Sequence, residues 1–433
     1  MKPRSGDSQV RWLLIAWMFV ISAIAYLDRV NISLAGPEIA TEFRLDNVQL
    51  GFVFSAFVIG YALFQAPGGR LADRLGPRLT LGLGVIWWAI FTSLVTYVPP
   101  GTTRVLMVLI AIRFLLGIGE AVVYPASNCI VARWIPSGER GLANGFIFSG
   151  VGFGSGMAAP LVSFLMVHWG WRSAFWASAG LGLLAGAVWY WMARDKPAQH
   201  SWISPGELAY IERGLPPVMP THENRPLSWA AILRNGNLWA VTFSYFAYGY
   251  AAYIFFAWFA IYLRTVRKLD VTHSTVYTML PFLAMGIGSL LGGFLSDRLT
   301  ERWNERVGRC YLAAVAIAGC AVFLAFGIGV KNAGVASFIL AGGAGALYLS
   351  QSSFWSASAD IGKNSAGSVS GFMNMGGQIG GALTAWLTPV IAKYLGWTAS
   401  FLVAAALCAA GALAWLPVKL EEKVERQPVA VRK

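Results

Sequence analysis

Apolar runs of span length, separated mostly by short polar segments, recur along almost the whole chain. A membrane-crossing helix needs ~20 predominantly apolar residues. Twelve such runs are present, at 11–33, 48–68, 79–98, 104–132, 141–167, 172–193, 238–263, 275–297, 310–330, 334–359, 367–394 and 398–418. One long polar stretch, 194–237, divides them six and six. The pattern predicts an all-α membrane protein: an N-terminal six-helix bundle over 1–193, a connecting segment over 194–237, a second six-helix bundle over 238–418, and a polar tail over 419–433. Glycines and prolines inside the runs are compatible with this, because neighbouring helices satisfy the backbone groups they free. In the connecting segment, Ser204-Pro205-Gly206-Glu207 followed by Leu208 and Ile211 predicts a capping box with proline at N1, opening a short amphipathic helix.

Composition agrees. The chain is 57% hydrophobic and 12% charged, with mean hydropathy +0.58, far from a soluble domain. The net charge of +13 would suit nucleic acid, but its placement argues against that partner. With both termini and the connecting segment cytoplasmic, the inner segments hold most of the 33 Lys and Arg. The outer loops hold Arg44, Arg104, Arg172, Arg264, Arg267, Lys268, Lys331 and Lys393, and the spans hold Arg29 and Arg113. That is the positive-inside bias, with Arg264, Arg267 and Lys268 running against it. A multi-pass, monomeric protein of the plasma membrane, a bacterial inner membrane, is expected. Lys2, Arg4 and Arg11 ahead of an apolar run and Ala23-Ile24-Ala25 have signal-peptide features. Cleavage there would discard one span of an even set, so the first span is expected to stay. Cys129, Cys310, Cys320 and Cys408 fall in spans without metal-ligand spacing and read as packing residues. His168, His200, His222 and His273 fall in predicted loops, scattered, with no catalytic or metal spacing. No cofactor and no enzymatic activity are expected.

Four charges interrupt the apolar runs. Asp28 and Arg29 end the first, in Ala25-Tyr-Leu-Asp-Arg-Val-Asn-Ile-Ser33, and Arg113 and Glu120 lie in the fourth. A charge at mid-bilayer costs ~2.5–3.5 kcal/mol or more, so such residues face a polar cavity and mark a transport pathway. At ~100° per residue, Arg113 and Glu120 project from nearly the same helix face. The four charges sum to zero with both acids ionised. Protonating either acid frees a guanidinium for an anion, which makes Asp28, Glu120 and Arg113 candidates for proton coupling.

The two halves repeat. Gly68-Gly69-Arg-Leu71-Ala-Asp73-Arg74-Leu75 matches Gly292-Gly293-Phe-Leu295-Ser-Asp297-Arg298-Leu299; Gly145-Phe146 matches Gly371-Phe372, and Gly170-Trp171 matches Gly396-Trp397. Paired six-span halves of this kind resemble the major facilitator transporters, whose substrate site lies at the midplane between halves. Gly69-x-Leu71-Ala-Asp73-Arg74-x-Gly76-x-Arg78 resembles the signature loop between spans two and three of that superfamily. The resemblance implies a gate formed by Gly69, Asp73, Arg74 and Arg78, with Asp297 and Arg298 in the second half.

Further motifs narrow the likeness. Tyr26-Leu-Asp28-Arg29-Val-Asn31-Ile-Ser33, Gly117-x-Gly119-Glu120-Ala121 with Pro125, Trp134-x-Pro136-x-x-Glu139-Arg140, Trp355-x-x-x-x-Asp360 and Gly371-Phe-x-Asn374-x-x-Gly377 resemble the anion:cation symporter family from about residue 12 to 418. That family includes proton-coupled carriers of hexuronates, aldonates, aldarates and other organic carboxylates. The likeness implies that Arg29 grips a substrate carboxylate, with Tyr26, Tyr61, Ser352, Trp355 and Asn374 lining the pocket; Gln378 shares the Asn374 face one turn on. Val151 stands where sugar-acid members often carry a glutamine, which weakens the case for a heavily hydroxylated substrate. Proton symport of a small organic carboxylate is the expected function. A uniporter or exchanger of a less hydroxylated anion, aromatic or dicarboxylic, and a transporter-like sensor are the alternatives.

Overall fold

The computed structural model describes residues 7–101, 104–215, 227–269 and 271–420, and every regular element among them is helical. The first half contains α1 (Val10–Phe43), α2 (Asn47–Leu75), α3 (Pro77–Leu94), α4 (Val105–Glu120), α5 (Val123–Trp134), α6 (Arg140–Trp169) and α7 (Trp171–Met192). The connecting segment carries α8 (Pro205–Gly214) and α9 (Trp229–Leu233). The second half contains α10 (Gly236–Tyr253), α11 (Phe259–Thr265), α12 (Val271–Arg302), α13 (Leu312–Gly329), α14 (Ala333–Leu349), α15 (Gln351–Gly362) and α16 (Ala366–Leu413). The pairs α4–α5, α10–α11 and α14–α15 each make one crossing. α16 makes two, because Gly396 breaks it at φ 84°. Twelve crossings result, six per half, as the apolar runs predict. Lys2, Arg4, His222 and most of the tail lie outside the described residues.

The interruptions have local causes. Pro125 offers no N–H to the Ala121 carbonyl, so the helix pauses between α4 and α5, immediately after Glu120. Between α10 and α11 the backbone winds through a π turn, Ile254–Trp258, a distortion common at functional sites. Gly170 and Gly396, matched in the repeat, share a positive φ of 78° and 84° between consecutive spans. Several helices outrun their apolar runs. α1 continues past Pro37 to Phe43, so Asp28 and Arg29 sit within the helix rather than at its end. Helix backbone satisfies itself, and the polar Asn31 donates to the Ala174 carbonyl and Ser178 Oγ on α7. Two histidines expected in loops are helical: His168 in the last turn of α6 and His273 in α12.

The face carrying α8, called here the linker face, holds most of the ionic network. Ser204 caps α8 by accepting from the Glu207 N–H, but the reciprocal half of the capping box is missing. Glu207 instead accepts from Ser8 Oγ, the Val10 and Arg11 N–H groups and the Arg11 guanidinium. Arg11 also pairs with Glu139, which accepts from Tyr210 of α8. At the distal face, Arg267 donates to the Ile328 and Lys331 carbonyls and to Tyr262 Oη. A cation at the C-terminus of α13 is favourable, which accounts for one charge of the cluster that defies the positive-inside bias.

The halves meet most closely near the linker face, and the repeated motifs make the contact. Asp73, from α2, accepts from the Gly367 and Ser368 N–H groups at 2.9 and 2.8 Å, from Ser368 Oγ, and from Cys129 Sγ at 3.1 Å. It thereby caps α16. Asp297, from α12, accepts from the Gly141 and Leu142 N–H groups at 2.8 and 2.6 Å and caps α6. Each carboxylate sits where an opposing helix dipole is positive. Gly69 lies against the Gly367 carbonyl and Gly293 against the Gly141 carbonyl, where a methyl would collide. Arg78 is tied to its own half, through the Tyr190 carbonyl, and Arg74 and Arg298 are exposed. An additional lock joins the halves beside them: Asp360 takes Arg140 from the first half at 2.5 Å and Arg309 from the second, and Arg309 reaches the Ser137 carbonyl across the interface. Close packing of α6 on α12 runs up to Gly152; a methyl at Gly156, one turn further, would meet nothing within 4 Å. The molecule is sealed at the linker face.

Two outcomes are expected. Asp297→Asn weakens the seal and raises maleimide labelling of Cys129, buried against Asp73 in the matching contact, while substrate affinity within one state stays unchanged; identical labelling in wild type and variant counts against a gating role. Glu207→Ala leaves one edge of the buried Arg11 guanidinium and two backbone donors without their acceptor, a loss of about 1–3 kcal/mol. Its melting temperature in detergent should fall clearly, whereas Glu212→Ala, at an exposed position of the same helix, should melt like wild type.

Candidate transport site

Between the halves, above the sealed contact, lies a cavity of about 40 Å³. That is room for a few waters and far less than a sugar acid needs, so binding requires the halves to part. Five first-half residues line it: Tyr26, Tyr61, Tyr124, Phe148 and Val151. The second half contributes Tyr245, Tyr248, Tyr253, Phe256, Tyr348, Gln351, Asn374 and Gln378, with backbone at Gly249, Ala252 and Gly377.

Arg29 stands directly behind this wall. Its guanidinium lies over the rings of Tyr61 (4.2 Å), Tyr26 (4.7 Å) and Phe57 (5.3 Å), three cation–π contacts in a desolvated setting. Its Nε donates to Glu120 Oε1 at 2.6 Å. Arg29 Nη2 and Glu120 Oε2, both buried, have no partner among the described residues. The guanidinium is therefore paired through one edge and keeps another unused.

Glu120 shares a face of α4 with Arg113, but its hydrogen-bonded partner is Arg29. Seven residues on a helix return to the same face but lie about 10 Å apart along the axis, beyond the i,i+4 reach of a helical ion pair. Arg29 approaches from α1 instead. Arg113 lies over the Phe57 ring at 4.8 Å, and Phe57 in turn stacks on Tyr61. Asp28 faces α3, where its Oδ2 accepts from Trp88 Nε1 at 3.0 Å and Thr92 Oγ1 at 2.8 Å. Of the four span charges only Arg29 and Glu120 are in direct contact; Asp28 and Arg113 feel each other and that pair through space.

In the second half, Asn374 and Gln378 reach the cavity, one turn apart on α16. Gln378 Oε1 accepts from Tyr253 at 2.8 Å, and Asn374 Nδ2 donates to Gln65 Oε1 at 2.8 Å. Trp355 and Ser352 lie one layer back. Trp355 packs on Phe148 (4.8 Å) and Tyr124 (5.8 Å) and donates to Tyr245 Oη at 3.2 Å; Ser352 is fully buried. Both support the wall in this state rather than form it.

The sequence reading missed the second-half tyrosines and Gln65. A signal for the former was present. Tyr245, Tyr248, Gly249, Ala252, Tyr253 and Phe256 are spaced 3, 1, 3, 1, 3, one continuous helix face. All six line the cavity, and the π turn beginning at Ile254 adjusts the last of them. Tyr245 and Tyr248 stack at 4.9 Å.

With this geometry in view, comparison with known proteins is informative. A family model described as the Major Facilitator Superfamily matches residues 18–385. A probable sulfoacetate transporter of Cupriavidus necator is 33% identical over 94% of this chain and 94% of its own length. A hexuronate transporter of Bacillus subtilis is 30% identical over 93% of each. A probable galactarate/D-glucarate transporter of the same organism is 32% identical over 69% of this chain and 68% of its own length. Among solved structures, a proton:xylose symporter superposes with TM-score 0.75 at 17% identity, covering 96% of this chain and 97% of that one, a likeness of fold alone. Twelve helices in two repeated halves, reciprocal carboxylate caps at one face and an ion-paired arginine behind the central cavity fit these matches, and the chain belongs to the major facilitator superfamily, among its anion transporters.

Proposed function

We propose that the protein imports a small organic carboxylate together with protons by alternating access, with the linker face in the cytoplasm of a bacterial cell. The observation that carries this reading is the Arg29–Glu120 pair behind the cavity wall. Arg29 is the only cation beside the cavity rings among the described residues, and its planar fork suits a carboxylate. A substrate that takes Arg29 from Glu120 strands a buried carboxylate, and breaking a buried pair costs about 3–5 kcal/mol. A proton on Glu120 removes that penalty. The same proton offsets the ~2.3 kcal/mol per 100 mV that an anion needs to enter an inside-negative cell. Asp28 offers a second protonation site on the α3 side, and Arg113 balances its charge.

The wall speaks to the substrate class. Seven tyrosines and two phenylalanines line the cavity, several with hydroxyls already bonded to protein, as in Tyr124 to Ser22 and Tyr245 to Gln351. With Val151 in place of an amide, this favours a carboxylate of moderate hydroxylation, an aromatic or short-chain acid, over a fully hydroxylated sugar acid.

Arg29→Lys keeps the charge and loses the fork; binding of the transported acid should weaken on the order of tenfold to a hundredfold, read by calorimetry on purified protein. Unchanged affinity in Arg29→Ala would remove Arg29 from the site. Glu120→Gln resembles the protonated acid permanently. In proteoliposomes it should retain counterflow exchange and lose accumulation driven by a pH gradient, and Asp28→Asn should lose part of that accumulation. Wild-type accumulation in both variants would leave Glu120 and Asp28 as structural partners of the arginines, whereas an exchanger or uniporter would show no pH-driven accumulation in the wild type itself.

A further inference from the structure

Gln65 is not part of any motif and contributes no lining surface, yet it occupies the level where the cavity ends and the seal begins. It is fully buried in α2, and Asn374, opposite it in α16, is 3% exposed. Their 2.8 Å hydrogen bond crosses between the halves. One turn above Gln65 is Tyr61, which lines the cavity. One turn below, Gly69 meets the Gly367 carbonyl, and Asp73 caps α16 a further turn down. A methyl at Gly371 would strike the Gln65 carbonyl, so α2 and α16 are in backbone contact at this height. The remaining amide nitrogen of Gln65 is buried without a partner among the described residues. Among the described residues, Asn374 is therefore the one that both lines the cavity and spans the interface by a side-chain bond from α16 to α2.

We infer that Gln65 is a positioning residue that makes substrate contact at Asn374 dependent on the state of the gate. This rests on the reading of the cavity as an organic-anion site. While the linker face is closed, Gln65 Oε1 holds the Asn374 amide in one orientation, with its second N–H and its Oδ1 left for the cavity. Parting of α2 from α16 breaks the bond, releases the amide to turn, and loosens the grip on the substrate where release is required. By the reciprocity of linkage, substrate that prefers the held orientation stabilises the closed linker face.

The test uses full-length protein with Cys310, Cys320 and Cys408 replaced by alanine, leaving Cys129 as the thiol in the linker-face gate. Maleimide labelling of Cys129 reports opening, and benzoate, gluconate, D-galacturonate and sulfoacetate serve as probe acids. Gln65→Ala should raise labelling of the ligand-free protein about fivefold, the worth of one neutral hydrogen bond. It should also abolish the protection that the bound acid gives wild type. Gln65→Glu keeps the acceptor and should restore protection, whereas Gln65→Met, similar in size but without the amide acceptor, should not; a merely space-filling role would be restored by Met as well. In the Gln65→Ala background, Asn374→Ala should add nothing to labelling. Additive effects of the two changes, or wild-type labelling in Gln65→Ala with the Glu variant folded and active, would overturn the inference. Should wild type bind none of the acids, the organic-anion reading fails, while the ligand-free labelling still judges the latch.

Discussion

A charge buried in hydrocarbon must have a partner, and the site is organised around how Arg29 meets that demand. Its guanidinium is wrapped by three aromatic faces and joined to Glu120 through one edge. The pairing requires α1 and α4 to approach at the midplane. Glycines hold the neighbouring helices close around it: Gly60 and Gly117 bring α2 and α4 into backbone contact, and Gly150 and Gly154 seat α6 on α1. The break after Glu120, imposed by Pro125, places that carboxylate at a helix end. Small residues here act at a distance, by fixing where two charges meet.

The seal at the linker face uses a different device. Asp73 and Asp297 sit on helix N-termini across the interface, so each joins two halves through backbone dipoles rather than through long side chains. Backbone N–H groups do not change rotamer, and a glycine at each crossing lets the carboxylate come close. Asp360, shared between Arg140 and Arg309, adds a side-chain lock that depends on both halves being together. Cys129, expected only to pack, donates to Asp73 and belongs to this contact.

Much of this was legible in the sequence, and the failures have a common physical cause. Apolar runs, internal repeat and gate motif pointed to the twelve crossings and to Asp73 and Asp297, because each is a local pattern with a fixed period or spacing. Helix ends ran past the runs, since a helix satisfies its own backbone and does not stop at Asn31 or Ser33. Pairings between helices were the weak point. Arg113 and Glu120 share a face, yet Glu120 pairs with Arg29, because side chains on one helix seven residues apart are too distant to meet. Gln65 was invisible for the same reason: its importance comes from Asn374 across the interface. Glu207 looked like a capping-box member and proved to be the anchor of α1, a choice made by the Arg11 guanidinium beside it.

The two buried devices differ in what breaks them, and that difference links site to gate. The seal is built from backbone and hydroxyl donors on two carboxylates and from one shared acid, and its bonds between the halves break together when the halves part. The Arg29–Glu120 pair lies within one half and does not open with the gate; only another anion, or a proton, changes it. Motion and charge are thus controlled by separate elements of the same bundle. A transporter that couples them needs a group touching both, and on α16 the side chain that meets the cavity and the opposing half together is Asn374.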